Sequence, residues 1–165
     1  SDRYVHIHVD VLGKYQSKEI EKRLELLVKN LGLQENVSFH GVKTGKEKSK
    51  LYAQADIFCF PTFFESETFG LVVLDAMQSE LPVIATRWRG AQSLVRDGET
   101  GYLIDINSPS QLSNRIARLI DDPELRRSFG RNGRDLYDNE YRLEKWIDSL
   151  DNEFARLEQS GCQVI

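Results

Sequence analysis

Phe60-Pro61-Thr62-Phe63-Phe64-Glu65-Ser66-Glu67-Thr68-Phe69-Gly70-Leu71-Val72-Val73-Leu74-Asp75-Ala76 is the stretch whose reading decides the fold. An apolar run, Ile57 to Phe60, stops at Pro61. A short polar and aromatic loop follows, and from Gly70 a second apolar run begins with helical spacing. The pattern is a buried strand, a loop, and a helix whose first turn lies at the strand's carboxyl end. Such a helix start offers unpaired backbone N–H groups and a positive dipole end, which suits a phosphate. Glu67 precedes the helix and Asp75 lies inside it, eight positions on. At about 100° per residue, Asp75 points back along one wall of the same crevice. Two carboxylates beside an anion-binding helix end suit a ligand that carries both hydroxyls and phosphates.

Working outward, strands and helices alternate. Tyr4 to Val9 reads as a strand, and Lys18 to Leu31 as a helix with Ile20, Leu24, Leu27, Val28 and Leu31 on one face, ended by Gly32. Val37 to His40 is a short strand, and Lys46 to Gln54 a polar helix with Leu51 and Tyr52 facing in. The strand at 56–60 precedes a helix at about 70–79 and the strand Val83 to Ala85, to which it is expected to be parallel. Ala91 to Val95 is a short helix and Gly101 to Ile104 a last strand. Ser108-Pro109-Ser110-Gln111 combines a capping box with proline at the first helical position. The helix after it stops at Asp122-Pro123, another runs from Glu124 to about Tyr137, and a tail helix covers about 142–158. Its stripe of Trp146, Ile147, Leu150, Phe154 and Leu157 reads as core or interdomain packing. Alternating strands and helices give an α/β fold with a parallel sheet. Ligands of such sheets sit at the carboxyl ends of strands, which is where Glu67 to Asp75 lies.

Composition narrows the class. The 165 residues are 40% hydrophobic and 29% charged, ordinary for a soluble globular chain, and length predicts one domain spanning 1–165. A net charge of −4, with no basic block interleaved with aromatics, argues against a nucleic-acid partner. No apolar run approaches the roughly 18–20 residues of a membrane span, and no signal peptide is visible. Cys59 and Cys162 are too distant to mark a disulfide framework and read as free thiols of a cytoplasmic protein. His6 and His8 form an H-x-H pair, read as strand packing because no third metal ligand is apparent. Lys43, Lys46, Lys48 and Lys50 read as a solvated helix face. Arg87 and Arg89 follow a strand end but are not assigned to phosphate.

At Glu67-x-Phe69-Gly70-x4-Asp75-Ala76 the chain resembles the Glu-x7-Glu signature of the group 1 retaining glycosyltransferases. The resemblance continues through Pro82 to Thr86, Asp97 to Leu103 and Pro109, and upstream through Asn36 to Gly41 and Leu51 to Asp56, covering roughly residues 25–140. Six pieces in order and spacing carry it. Two positions depart from the family: Asp75 stands where glutamate is usual, and Arg89-Gly90 where Gly-Gly is usual.

The resemblance implies a Rossmann-like parallel sheet flanked by helices, the carboxyl-terminal half of a GT-B glycosyltransferase. It implies a nucleotide-diphospho-sugar donor, transfer with retention, and no metal or other cofactor. It assigns Glu67 to the catalytic centre as acceptor for the sugar's hydroxyls. Phe69, Gly70 and Leu71 would offer backbone N–H groups to the diphosphate, and Asp75 would accept from the ribose hydroxyls. The family's catalytic domain usually opens with one more strand-helix unit carrying an Arg and a Lys, and a separate amino-terminal domain binds the acceptor. Neither is visible here, so the chain reads as a fragment, inactive alone, whose peripheral association with membranes would come only through the full-length enzyme. The other reading is a non-catalytic nucleotide-binding module of the same fold. A Rossmann dehydrogenase is disfavoured because no G-x-G-x-x-G follows the first strand.

Overall fold

The computed structural model of the chain describes residues 6–159; Tyr4 and Val5 of the expected first strand, and Cys162, lie outside them. The chain packs as two compact units that divide between Ala53 and Gln54.

The first unit carries β1 (Val9–Leu12), α1 (Lys18–Asn30), β2 (Val37–Gly41) and α2 (Gly45–Gln54). β1 and β2 pair in parallel, from Val9 opposite Val37 to Leu12 opposite Gly41. The first strand thus begins later than the sequence predicts, for His6 lies in a turn and pairing starts at Val9. Asn36 sets that start: its carbonyl accepts from Val9 N at 2.8 Å and its side chain donates to Ile7 O at 2.9 Å. Strand limits follow the ladder partner, which one strand's own pattern does not contain. His8 bonds to Ser38 Oγ at 3.0 Å and His40 to Asp10 Oδ1 at 2.6 Å, so these histidines serve pairing across the strands. Among the described residues, no three His, Cys, Asp or Glu gather in a way that could hold a metal ion.

Ser17 caps α1, its Oγ accepting from Ile20 N at 3.3 Å. The apolar stripe of α1 is present at the expected spacing, yet no residue of the helix is fully buried. Two parallel strands offer a face too small to cover a 13-residue helix.

The second unit holds β3 (Phe58–Phe60), α3 (Leu71–Gln78), β4 (Val83–Thr86), α4 (Ala91–Leu94) and β5 (Gly101–Ile104). There follow α5 (Pro109–Asp121), α6 (Pro123–Leu136), a π-helical turn Tyr137–Tyr141, and α7 (Leu143–Gln159). The sheet order is β3-β4-β5, all parallel, with Phe58 opposite Val83 and Val83 opposite Gly101. β4 is central and buried at every position. Ile84, Ile104, Leu119 and Phe129 form the core, with Ile57, Tyr102, Leu112, Ile116 and Leu125 packed against them. Val73, Ala76 and Met77 turn the inner face of α3 into the unit.

Three expectations are corrected here. The strand at 56–60 shortens to Phe58–Phe60 and is half-buried, with Cys59 exposed. It lies at the sheet's edge, and full burial of a strand needs neighbours on both sides and cover on both faces. The capping box at Ser108 is not formed. Gln111 instead bonds Asp105 twice, accepting from its N–H at 2.9 Å and donating to its carboxylate at 2.8 Å. Of the two uses expected for the stripe on α7, core and interdomain packing, the first is excluded, since Trp146, Ile147, Phe154 and Leu157 are all exposed. A cap the sequence reading overlooked is Asp122, which accepts from Leu125 N at 3.0 Å to start α6.

No described helix is long and apolar enough to cross a membrane.

Candidate functional site

The loop from Pro61 to Gly70 leaves β3 at its carboxyl end and delivers the chain to the start of α3. It is held by the segment that leaves the neighbouring strand. Thr86 Oγ1 donates to Thr62 O, and Trp88 Nε1 donates to Phe64 O at 3.0 Å. Gly90 lies so close that a Cβ there would stand 2.4 Å from Phe69 Cα and 2.5 Å from the carbonyl oxygens of Thr68 and Phe69. Two loops at adjacent strand ends are therefore locked backbone to backbone, and only glycine fits at that contact.

The contact also explains Arg89-Gly90 where the family usually has Gly-Gly. The close approach belongs to Gly90 alone. Arg89 takes a left-handed φ of 45°, and its guanidinium lies over the Trp88 ring, 5.4 Å from the centroid. The cation thus rests on the Trp88 ring. The sequence marks Arg89-Gly90 as a departure but does not single out Trp88, although an indole N–H placed after a strand end calls for an acceptor.

Glu67 Oε1 accepts from Gly70 N at 3.0 Å and from Thr68 N at 3.2 Å. The carboxylate therefore sits at the positive end of α3, where the dipole favours an anion. Gly70 is buried and takes a left-handed φ of 82°, which turns the chain from loop into helix. Of the three N–H groups named from sequence, that of Gly70 is engaged by Glu67. Those of Phe69 and Leu71 donate to no group among the described residues. The residues Phe69 and Leu71 are 43% and 68% exposed.

Asp75 lies one turn beyond Leu71 on the same helix face, half-buried, about 6 Å further along the axis. The structure brings Glu67, Phe69, Gly70 and Leu71 together and leaves Asp75 one turn further along α3. Arg87 does not point a free charge at this end, for it pairs with Asp97 at 2.6 Å, and Asp97 also accepts from Leu103 N at 3.0 Å. In the first unit, an open pocket of about 580 Å³ lies beyond the carboxyl ends of β1 and β2, lined by Lys14, Tyr15, Lys18, Glu21, Phe39 and Val42. Its two lysines are offset by Glu21 and by Glu25, which also lines it, so its charge favours no single ligand sign.

Comparison with known proteins shows the family and the fold. The sequence profile of the "Glycosyl transferases group 1" family matches residues 2–136. The N-acetyl-alpha-D-glucosaminyl L-malate synthase of Bacillus anthracis is 32% identical over 125 residues, which are 76% of this chain and 32% of that protein. Among solved structures, the C-terminal domain of a group 1 glycosyl transferase, LpcC of Francisella tularensis, superposes with a TM-score of 0.77 at 31% identity. It covers 86% of this chain and 73% of that one. Anabaena HepE, solved with UDP, gives a TM-score of 0.83 at 23% identity over 92% of this chain and 41% of its own, a likeness of fold. The chain thus spans about a third of the length of the curated relative and matches the carboxyl-terminal half of the GT-B architecture. With its profile match, its parallel sheet and its loop-to-helix segment at Glu67 to Asp75, the chain belongs to the group 1 glycosyltransferases.

Proposed function

We propose that this chain supplies the donor-binding part of an enzyme that transfers a sugar, with retention, from a nucleotide-diphospho-sugar to an acceptor held by a separate amino-terminal domain. The observation that carries this reading is the start of α3. Open N–H groups at Phe69 and Leu71 flank a Gly70 amide that already holds a carboxylate. Breaking the glycosidic bond places negative charge on the leaving diphosphate. Fixed amides and a helix dipole aimed at that charge stabilise it without reorganising. In this reading the field comes from α3, with no metal ion required.

Glu67 has two competing uses. Without donor, its carboxylate offsets the helix end; with donor, the diphosphate takes that position and Glu67 turns to the sugar's hydroxyls. Glu67→Gln removes the competing charge while keeping an acceptor. A bare nucleoside diphosphate should then bind as tightly as to the parent or tighter. The sugar-linked form should lose affinity relative to it, by about two- to thirtyfold for one charged hydrogen bond made neutral. Calorimetry with both ligands checks this; equal changes for the two would contradict the role in sugar binding.

Asp75 holds the ribose in this reading. Asp75→Asn replaces a charged acceptor by an amide, and affinity should fall by roughly a few-fold to thirtyfold, with little change in melting temperature without ligand. Asp75→Glu restores the length usual in the family and should bind at least as well as the parent. Calorimetric affinities unchanged in both variants would make Asp75 a surface acid.

A thermal-shift panel of nucleoside diphosphates and their sugars tests the proposal as a whole. UDP and UDP-glucose, present in the HepE structures, are the first probes. At 100 times its dissociation constant a ligand stabilises by about 2.7 kcal/mol. For a chain of this size that raises the melting temperature by about 5–10 °C. No shift with any member would contradict the reading.

A further inference from the structure

We propose that Tyr141 is a positioning residue for the donor site, its ring set edge-on against Phe69 so as to hold the loop that presents the first amides of α3. The inference rests on reading the start of α3 as the donor site.

The Phe69 and Tyr141 rings lie 6.4 Å apart at 64°, an edge-to-face pair. Phe69 immediately precedes Gly70, so the orientation of its side chain constrains the peptide whose N–H groups face the ligand. Neither ring is buried: Phe69 is 43% exposed and Tyr141 partly exposed. Such a pair hides little apolar area, and its effect lies in orientation more than in stability.

What aims Tyr141 is unusual. It closes the π-helical turn Tyr137–Tyr141, a conformation with one more residue per hydrogen-bonded ring than an α-helix and one frequently found at functional sites. The chain then leaves the helix at Arg142, which is extended, so Tyr141 stands at the very end of the turn, where its ring meets Phe69. The turn is clamped by charge. Asp138 pairs with Arg134 at 2.6 Å and with Arg142 at 3.8 Å, and Glu140 pairs with Arg96 at 2.7 Å. Exposed pairs of this kind contribute little singly, but three around one turn fix its geometry. Arg134 also donates to Gln78 O at 2.7 Å, the last residue of α3. The turn and its Arg134 clamp therefore hold α3 at both ends, through Gln78 at one and Phe69 at the other. Burial first, and then the Glu140 carboxylate, push the Tyr141 phenol above its ordinary value against the smaller opposing pull of Arg96.

The test compares the parent chain with Tyr141→Leu and Tyr141→Phe. Amide hydrogen exchange without ligand is read at Gly70 and Val73, whose N–H groups donate to Glu67 and to Gly70 O. Ile84, in the central strand, controls for the fold. UDP affinity is then measured on all three. Loss of the aromatic pair should speed exchange at Gly70 and Val73 about two- to twelvefold in Tyr141→Leu, with Ile84 unchanged. UDP affinity should fall by a similar factor. Tyr141→Phe, which keeps the ring edge, should stay within about twofold of the parent on both counts. Parent-like UDP affinity in Tyr141→Leu overturns the positioning role, whatever its exchange rates. Equal losses in Tyr141→Leu and Tyr141→Phe would place the effect in the hydroxyl and overturn it too. Failure of the parent itself to bind UDP or any other nucleoside diphosphate is a different result, for it overturns the donor-site reading and the positioning role with it.

Discussion

Gly90→Ala is expected to lower nucleoside diphosphate affinity at least tenfold and to reduce stability by about 1–3 kcal/mol. The added methyl would meet Phe69 Cα at 2.4 Å and two carbonyl oxygens at 2.5 Å, all of them backbone atoms that no rotamer change can move aside. Ordinary contact begins about 1 Å further out, so the Thr68-Phe69 segment must be displaced by that amount. Displacements of about 1 Å at a positioned group can cost a hundredfold, and the amides at Phe69 and Leu71 ride on this segment. Circular dichroism would show the variant folded, and calorimetry would show the affinity lost. Parent-like affinity in a folded Gly90→Ala would mean that the start of α3 does not meet the ligand.

Leu119→Ala should behave in the opposite way. Leu119 is fully buried in the cluster with Ile84, Ile104 and Phe129. Truncating a buried leucine to alanine costs about 2–5 kcal/mol, from lost transfer energy and from the cavity left behind. That is a large share of the roughly 5–15 kcal/mol that holds a domain together. At a temperature where the variant is still folded, its nucleotide affinity should match the parent's, because the cluster is built from β4, β5, α5 and α6 and includes no residue of the loop. Denaturant unfolding measures the first effect and calorimetry the second. An affinity that fell together with stability would imply that the site loop is not locked locally by Thr86, Trp88 and Gly90.

Parts of this fold and site are legible in the sequence and parts are not. Val83 to Ala85 and Gly101 to Ile104 are legible as strands because a short, mostly apolar run between turn signals has few other uses, and the first extends by one residue to Thr86. Glu67 and Gly70 are three positions apart, so a local pattern was enough to bring them together. Gly90 and Tyr141 lie 21 and 72 residues beyond Phe69, and nothing in their neighbours says where they will pack. The start of β1 failed for the same reason, being set by Asn36 across the sheet. The half-burial of β3 depends on how many strands flank it, which an apolar run does not encode. At Ser108 the local rule gave the wrong partner because Gln111 found Asp105 instead. Local chemistry fixed the site's ends, and the contacts that hold it came from afar.

The central claim is that the first amides of α3 receive the donor's diphosphate. It is tested most directly by titrating the chain with UDP and following each backbone amide by NMR, which detects binding even at millimolar affinity. The largest shifts are expected at Phe69, Gly70, Leu71 and Val72, with Gly70 moving as Glu67 releases its N–H. Shifts centred on any other part of the chain, with these four amides unmoved at saturation, would contradict the claim.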